Sequence, residues 1–167
     1  AKAKGMKPKV KYRYFLTPPS KQLKITKPEL KDFFERSLTC KTQIIGTKHV
    51  GFHHVDLDHR NMLFFGNKVS AILDFDDCML ATTVHDLAAL VEDIIAHNNS
   101  TKAGDYFIVE YKKYKNLGSD MAYVKRLVHI FNFFFSKVEI ELWGETGTQL
   151  PYFIKLERLI ARWERGE

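Results

Sequence analysis

The sequence predicts a mainly helical α+β fold. Apolar residues recur at helical spacing through the second half of the chain, one short hairpin signal interrupts the first half, and a loop crowded with ionisable groups precedes that hairpin. The 167 residues are the size of one domain, and 45% hydrophobic content with 13% aromatic residues is enough for a buried core, which excludes disorder along the whole chain. No apolar run approaches the roughly 20 residues of a membrane-spanning helix, and the first residues lack the apolar centre of a signal peptide. The expectation is a soluble, cytoplasmic protein with no membrane partner.

The formal charge is +6, and much of the excess sits in "AKAKGMKPKVKYR" at the start. No helix-turn-helix signature, zinc-finger spacing or aromatic RNA-binding motif accompanies it, so nucleic acid is not an expected partner. Cys40 and Cys78 form neither a metal-ligand pair nor a disulfide framework and read as reduced thiols. Residues 1–25 are expected to be a basic arm or remnant, and residues 26–167 the folded body.

In chain order, residues 10–16 can pair as a strand until "TPPS" breaks it. "TKPE" then opens a helix, with Thr26 as cap and Glu29 reaching back to it as a capping box, and Leu30, Phe33, Phe34 and Leu38 share one face. "NMLFF" and "VSAIL" are strand-like, and Gly66–Asn67 between them is a tight hairpin signal. After Asp86 the period is helical. Leu87, Leu90, Val91, Ile94 and Ile95 form one stripe; Phe107, Ile108, Tyr111 and Tyr114 form the next. A longer helix is expected from about Asp120 to Trp143, ended by "GETG", and a last one after Pro151 with Tyr152, Leu156, Leu159, Ile160 and Trp163 inward.

The chemistry concentrates in "FHHVDLDHRNMLFF", residues 52–65. His54, Asp56 and Asn61 are spaced HxDxxxxN, and "LDFDD" follows the second hairpin strand with Asp74 at its head. A carboxylate followed five residues later by an amide, before a hairpin whose return strand ends in another carboxylate, suits phosphoryl transfer. One carboxylate can take the proton of an attacking hydroxyl, while the amide and the second carboxylate can hold magnesium against nucleotide phosphates.

Here "HVDLDHRN", "LDFDD" and "VHDLAAL" together resemble the aminoglycoside phosphotransferase and choline kinase-like families, which share the protein kinase fold and typically carry HGDxxxxN, IDFxD and YDLA in this order. The resemblance is strong over residues 50–91 and weak on either side. It implies the C-terminal lobe of a kinase-like fold, with a catalytic loop at 54–61 and a metal-binding hairpin at 62–77. It also implies Asp56 as catalytic base, Asn61 and Asp74 as Mg2+ ligands, His54 as a support of the loop, and Asp86 as a structural cap. ATP or GTP would be the donor, and the acceptor a hydroxyl of an aminoglycoside, choline, sugar or amino-alcohol. Val55 departs from the family's usual glycine, His59 from its proline and Asp58 from its histidine.

A complete relative has a strand-rich N-terminal lobe with a phosphate-contacting lysine. About fifty residues precede His54, so that lobe is expected on a longer polypeptide or another chain; Lys9, Lys11 and Lys24 carry no identifying context. Two other readings compete. "HVDLDH" differs at one place from the HxHxDH zinc pattern of a metal-dependent hydrolase, with His53 beside it. A kinase-like lobe retained as a non-catalytic scaffold is the second. Asp76, Asp77, Glu92 and Asp93 could receive a cationic substrate or form a solvated face; Phe133, Phe134, Phe135 and Trp143 could line an acceptor pocket or fill core.

Overall fold

The computed structural model describes residues 25–39, 50–82, 84–116 and 118–166. The strand expected at 10–16, the lysines of the basic arm and Cys40 lie outside the described residues. What is described is a mainly helical α+β arrangement with two small two-stranded sheets.

Helix α1 (Pro28–Thr39) begins where the Lys27 carbonyl accepts from the amides of Leu30 and Lys31, and Pro28 suits the first helical position because its missing N–H would be unpaired there. Leu30, Phe33 and Phe34 are buried along one stripe. The start is not closed by the expected Thr26–Glu29 box. Glu145, more than a hundred residues away, takes the Thr26 hydroxyl at 2.6 Å, the Lys27 amide at 2.9 Å and also the Thr26 amide. A carboxylate is favoured at this position because unpaired amides and the positive end of the helix dipole converge there.

Strand β1 (Val50–His53) pairs antiparallel with β4 (Met79–Thr82), and between them β2 (Met62–Phe65) and β3 (Lys68–Ile72) form a hairpin. Gly66 at φ +58° makes the tight hairpin turn possible. The hairpin is the one expected; the β1–β4 ladder was not foreseen. Its register has a consequence for the loops. Because His53 faces Met79 in one ladder and Met62 faces Ile72 in the other, residues 54–61 and 73–78 are both held between the two ladders.

The helical body follows. Helix α2 (His85–Asn98) ends on Asn99 in the left-handed region, and α3 (Thr101–Tyr114) lies so close to it that a Cβ on Gly104 would sit 2.8 Å from the Ile95 side chain. The helix expected from Asp120 starts later: residues Gly118–Tyr123 form a 3-10 turn with Asp120 buried, and α4 runs Val124–Trp143. A second 3-10 turn, Gly144–Thr146, leads to α5 (Leu150–Arg165), with Pro151 in its first turn. Helix α4 packs against both α5 and α2, and the core they enclose includes Leu87, Val91, Ile95, Leu127, Ile130, Phe133, Ile140, Leu156 and Ile160. Tyr114, expected on the inner stripe of α3, is exposed at the helix end. Among the described residues no helix is long and apolar enough to cross a membrane.

Candidate active site

The loop between β1 and β2 is positioned by one carboxylate. Asp86 stands in the first turn of α2 but does not cap it: the cap position is Val84, which makes no side-chain bond. Its two oxygens reach outward instead, Oδ1 accepting from the Val55 amide at 2.9 Å and Oδ2 from the His54 amide and from His53 Nδ1, both at 3.0 Å. Burial alone would raise the Asp86 pKa, but the bonds from His53, Val55 and His54 outweigh it and hold the carboxyl below its ordinary value. His85 beside it donates from Nε2 to the Val55 carbonyl at 3.2 Å, and burial pushes its pKa down to about 4, so the imidazole is neutral at pH 7.

These bonds hold Val55 at φ +76°. The family's usual glycine would adopt that angle freely. A β-branched residue there carries roughly 1–2 kcal/mol of strain, and the contacts on both of its peptide groups are what maintain it. His54 is buried, and its Nε2 donates to the Leu73 carbonyl at 2.6 Å, so the loop is joined directly to the residue preceding Asp74. The ring also meets Phe75 edge-on at 4.8 Å.

Downstream, Asp58 caps a 3-10 turn, His59–Asn61, by accepting from the Arg60 amide at 2.7 Å and from Arg60 Nε at 2.9 Å. The aspartate that replaces the family's histidine therefore has a local structural use. Burial would raise its pKa, but its bonds to Arg60 outweigh that and lower it. The turn brings Asn61 back onto Asp56: Asn61 Nδ2 donates to the Asp56 carbonyl at 2.8 Å and to Asp56 Oδ2 at 3.2 Å. The side-chain carbonyl oxygen of Asn61 is left as a donor for a cation. Across the hairpin the Leu73 amide bonds the Asn61 carbonyl at 2.9 Å, so Asp74 begins one residue past Asn61's partner. Asp74 is exposed and has φ +60°, which turns the chain out of the β3 direction.

Asp56 lies in the wall of a cleft of about 650 Å³ between the loop, α2, α4 and the start of α5. Phe131, Phe135 and Tyr152 supply apolar surface; Glu92, Asp93 and Glu139 supply carboxylates. Glu92 is nearly enclosed, and burial, with Asp93 and Asp58 nearby, pushes its pKa up to about 8. Of the residues the sequence offered for this pocket, Glu92, Asp93 and Phe135 line it. Phe133 points into the core, Trp143 is exposed, and Phe134, Asp76 and Asp77 lie outside the lining. Phe131, Glu139 and Tyr152 were missed. The four-residue spacing of Phe131, Phe135 and Glu139 on α4 is the signal that could have found them.

The model of the phosphotransferase enzyme family, APH, matches residues 12–123 of the chain. The chain belongs to this family. Among curated proteins and solved structures, none matches it significantly. The family supports a kinase-type transferase in general terms, and the histidine geometry is at odds with the zinc-hydrolase alternative. In "HVDLDH" His54 turns to Leu73, His59 turns to Asp93, and the neighbouring His53 turns to Asp86, so the three rings do not converge on one ion. Oxygen donors that could hold a hard cation here are the Asn61 amide oxygen and the exposed Asp74 carboxylate.

Proposed function

We propose that the chain is the C-terminal lobe of a kinase-like phosphotransferase that moves the γ-phosphoryl group of ATP or GTP to a hydroxyl of a small molecule bound in the cleft. The observation that carries this reading is the coupling of Asn61 to Asp56: one side chain fixes the carboxylate through its nitrogen and offers its oxygen to a cation beside it. Asp56 accepts the proton as the acceptor oxygen attacks; the new O–P bond forms in line with the bond that breaks to release the nucleoside diphosphate. Asn61 and Asp74 would hold Mg2+, which supplies neutralisation of the phosphate charge when bound. His54 and Asp86 fix the loop and take no part in the chemistry.

The volume and lining of the cleft support a small acceptor such as an aminoglycoside, choline, sugar or amino-alcohol. A nucleotide lobe, on the same or another chain, is proposed to cover the hairpin. Phe64, Phe65 and Val69 on the hairpin are exposed, as are Phe52 and Phe75 in the flanking segments, apolar side chains that such a lobe would cover.

The test is Mg2+-dependent nucleotide binding by the intact protein, followed by calorimetry. Binding that needs Mg2+ and weakens at least tenfold in Asp74→Ala and Asn61→Ala is the expected result. Nucleotide binding that ignores both substitutions contradicts the ligand assignment, and no binding at all favours a non-catalytic scaffold.

A further inference from the structure

Outside the proposed magnesium ligands, one constellation at the rim of the cleft is used by neither the fold's core nor the transfer chemistry. His59, from the catalytic-loop turn, directs Nδ1 at the Asp93 carboxylate at 3.0 Å; His97, one helical turn beyond Asp93 on α2, has Nδ1 3.2 Å from the same carboxylate and 3.1 Å from the Asp93 backbone carbonyl. The two rings stand edge to face with centroids 4.2 Å apart, and the three ligand atoms lie within 4.8 Å of one another. Among the described residues this is the one group of three such side chains close enough to share an ion.

We propose that His59, Asp93 and His97 form a site for a divalent transition metal of the zinc class, distinct from the magnesium ligands. Three arguments support it. Imidazole and carboxylate donors select zinc, cobalt or nickel over magnesium or calcium. Tetrahedral bonds of about 2.0–2.1 Å separate ligand atoms by about 3.3 Å; the two imidazole–carboxylate spacings are 3.0 and 3.2 Å, and the ligand atoms of the two imidazoles lie within 4.8 Å of each other. All three residues line the cleft, so a three-ligand site leaves its fourth position for water or for a donor group of whatever the cleft binds.

The consequence is a clamp. Asp93 also accepts from the His59 amide at 3.2 Å, so a metal here ties the turn that carries Asn61 to the helix behind it. Both imidazoles are about half exposed, so the ion can enter without opening the fold. The inference does not depend on the phosphoryl-transfer reading.

Co2+ is titrated into the intact protein with Mg2+ in excess, its visible absorption reporting coordination, and thermal midpoints are measured with and without Zn2+. One equivalent should bind with a low-coordinate, histidine-dependent spectrum. His97→Ala, on an exposed helix surface, and His59→Ala should each weaken binding tenfold or more. Zn2+ should raise the midpoint of the parent protein by several degrees and leave that of His97→Ala unmoved. Absence of Co2+ binding, or binding that survives both substitutions, overturns the proposal and leaves Asp93 as a hydrogen-bond anchor only.

Discussion

The helical body and the loop-and-hairpin segment are stabilised in different ways. In the body, α4 buries Leu127, Ile130, Phe133 and Ile140 against α2 and α5, so its position is set by many apolar contacts. In the loop, the backbone from His53 to Val55 is held mainly by Asp86, His85 and the bond from His54 to Leu73, while the hairpin turns Phe64, Phe65 and Val69 to solvent. Packing spreads the position of an element over many contacts; the small polar network rests on a few directional bonds. The proposed chemistry therefore depends on the segment with the fewest redundant constraints.

The largest effect should come from breaking the body. Phe133→Ala, in the packed interior, is expected to cost about 3–5 kcal/mol in denaturant unfolding, whereas Phe65→Ala on the hairpin should change stability by less than about 0.5 kcal/mol. Similar costs at both positions would mean that the hairpin face is already covered. Next is the carboxylate that holds the loop: Asp86→Ala should cost about 2–3 kcal/mol at neutral pH through three lost charge-assisted bonds. Its folded pKa is lowered, so this contribution is present above the unfolded carboxylate value and disappears as pH falls through the folded one. Parent and variant unfolding curves should therefore converge in acid; a constant gap would mean that the loss is one of packing.

Glu92 should show the opposite sign. Its pKa rises from an ordinary 4.5 to about 8, chiefly through burial, so the folded state keeps a proton that the unfolded chain releases. Stability should fall as pH rises across that interval, and Glu92→Gln should flatten the decline; parallel declines would show that Glu92 is ionised in the folded protein. A modest gain is expected from Val55→Gly, which relieves the left-handed backbone and should raise stability by about 1 kcal/mol, the released strain exceeding the added flexibility of glycine. A lower thermal midpoint would indicate that the valine side chain contributes more than its backbone angle costs.

The same contrast explains what was legible in the sequence. Helices α2 to α5 and the β2–β3 hairpin announce themselves locally, by period and by Gly66–Asn67. The β1–β4 ladder does not, because two four-residue strands separated by the whole hairpin carry too little pattern to pair by inspection. Glu145 at the start of α1 is invisible for the same reason: the partner is remote, and the nearby Glu29 offers a plausible local substitute. Asp56, Asn61 and Asp74 could be read as a spacing, whereas the grouping of His59 with Asp93 and His97 required the turn to fold onto α2. In the run Phe131 to Phe135, composition showed aromatics, but which rings face the cleft was fixed by how α5 packs on α4.

The central claim is that Asp56 takes the proton from the acceptor hydroxyl. The most direct test is transfer of labelled γ-phosphate by the intact protein and by Asp56→Ala, with Mg2+-nucleotide affinity measured in parallel. The account predicts nucleotide binding close to that of the parent and turnover reduced at least a hundredfold, the scale of a lost general base. Turnover that persists unchanged without the Asp56 carboxylate would contradict it.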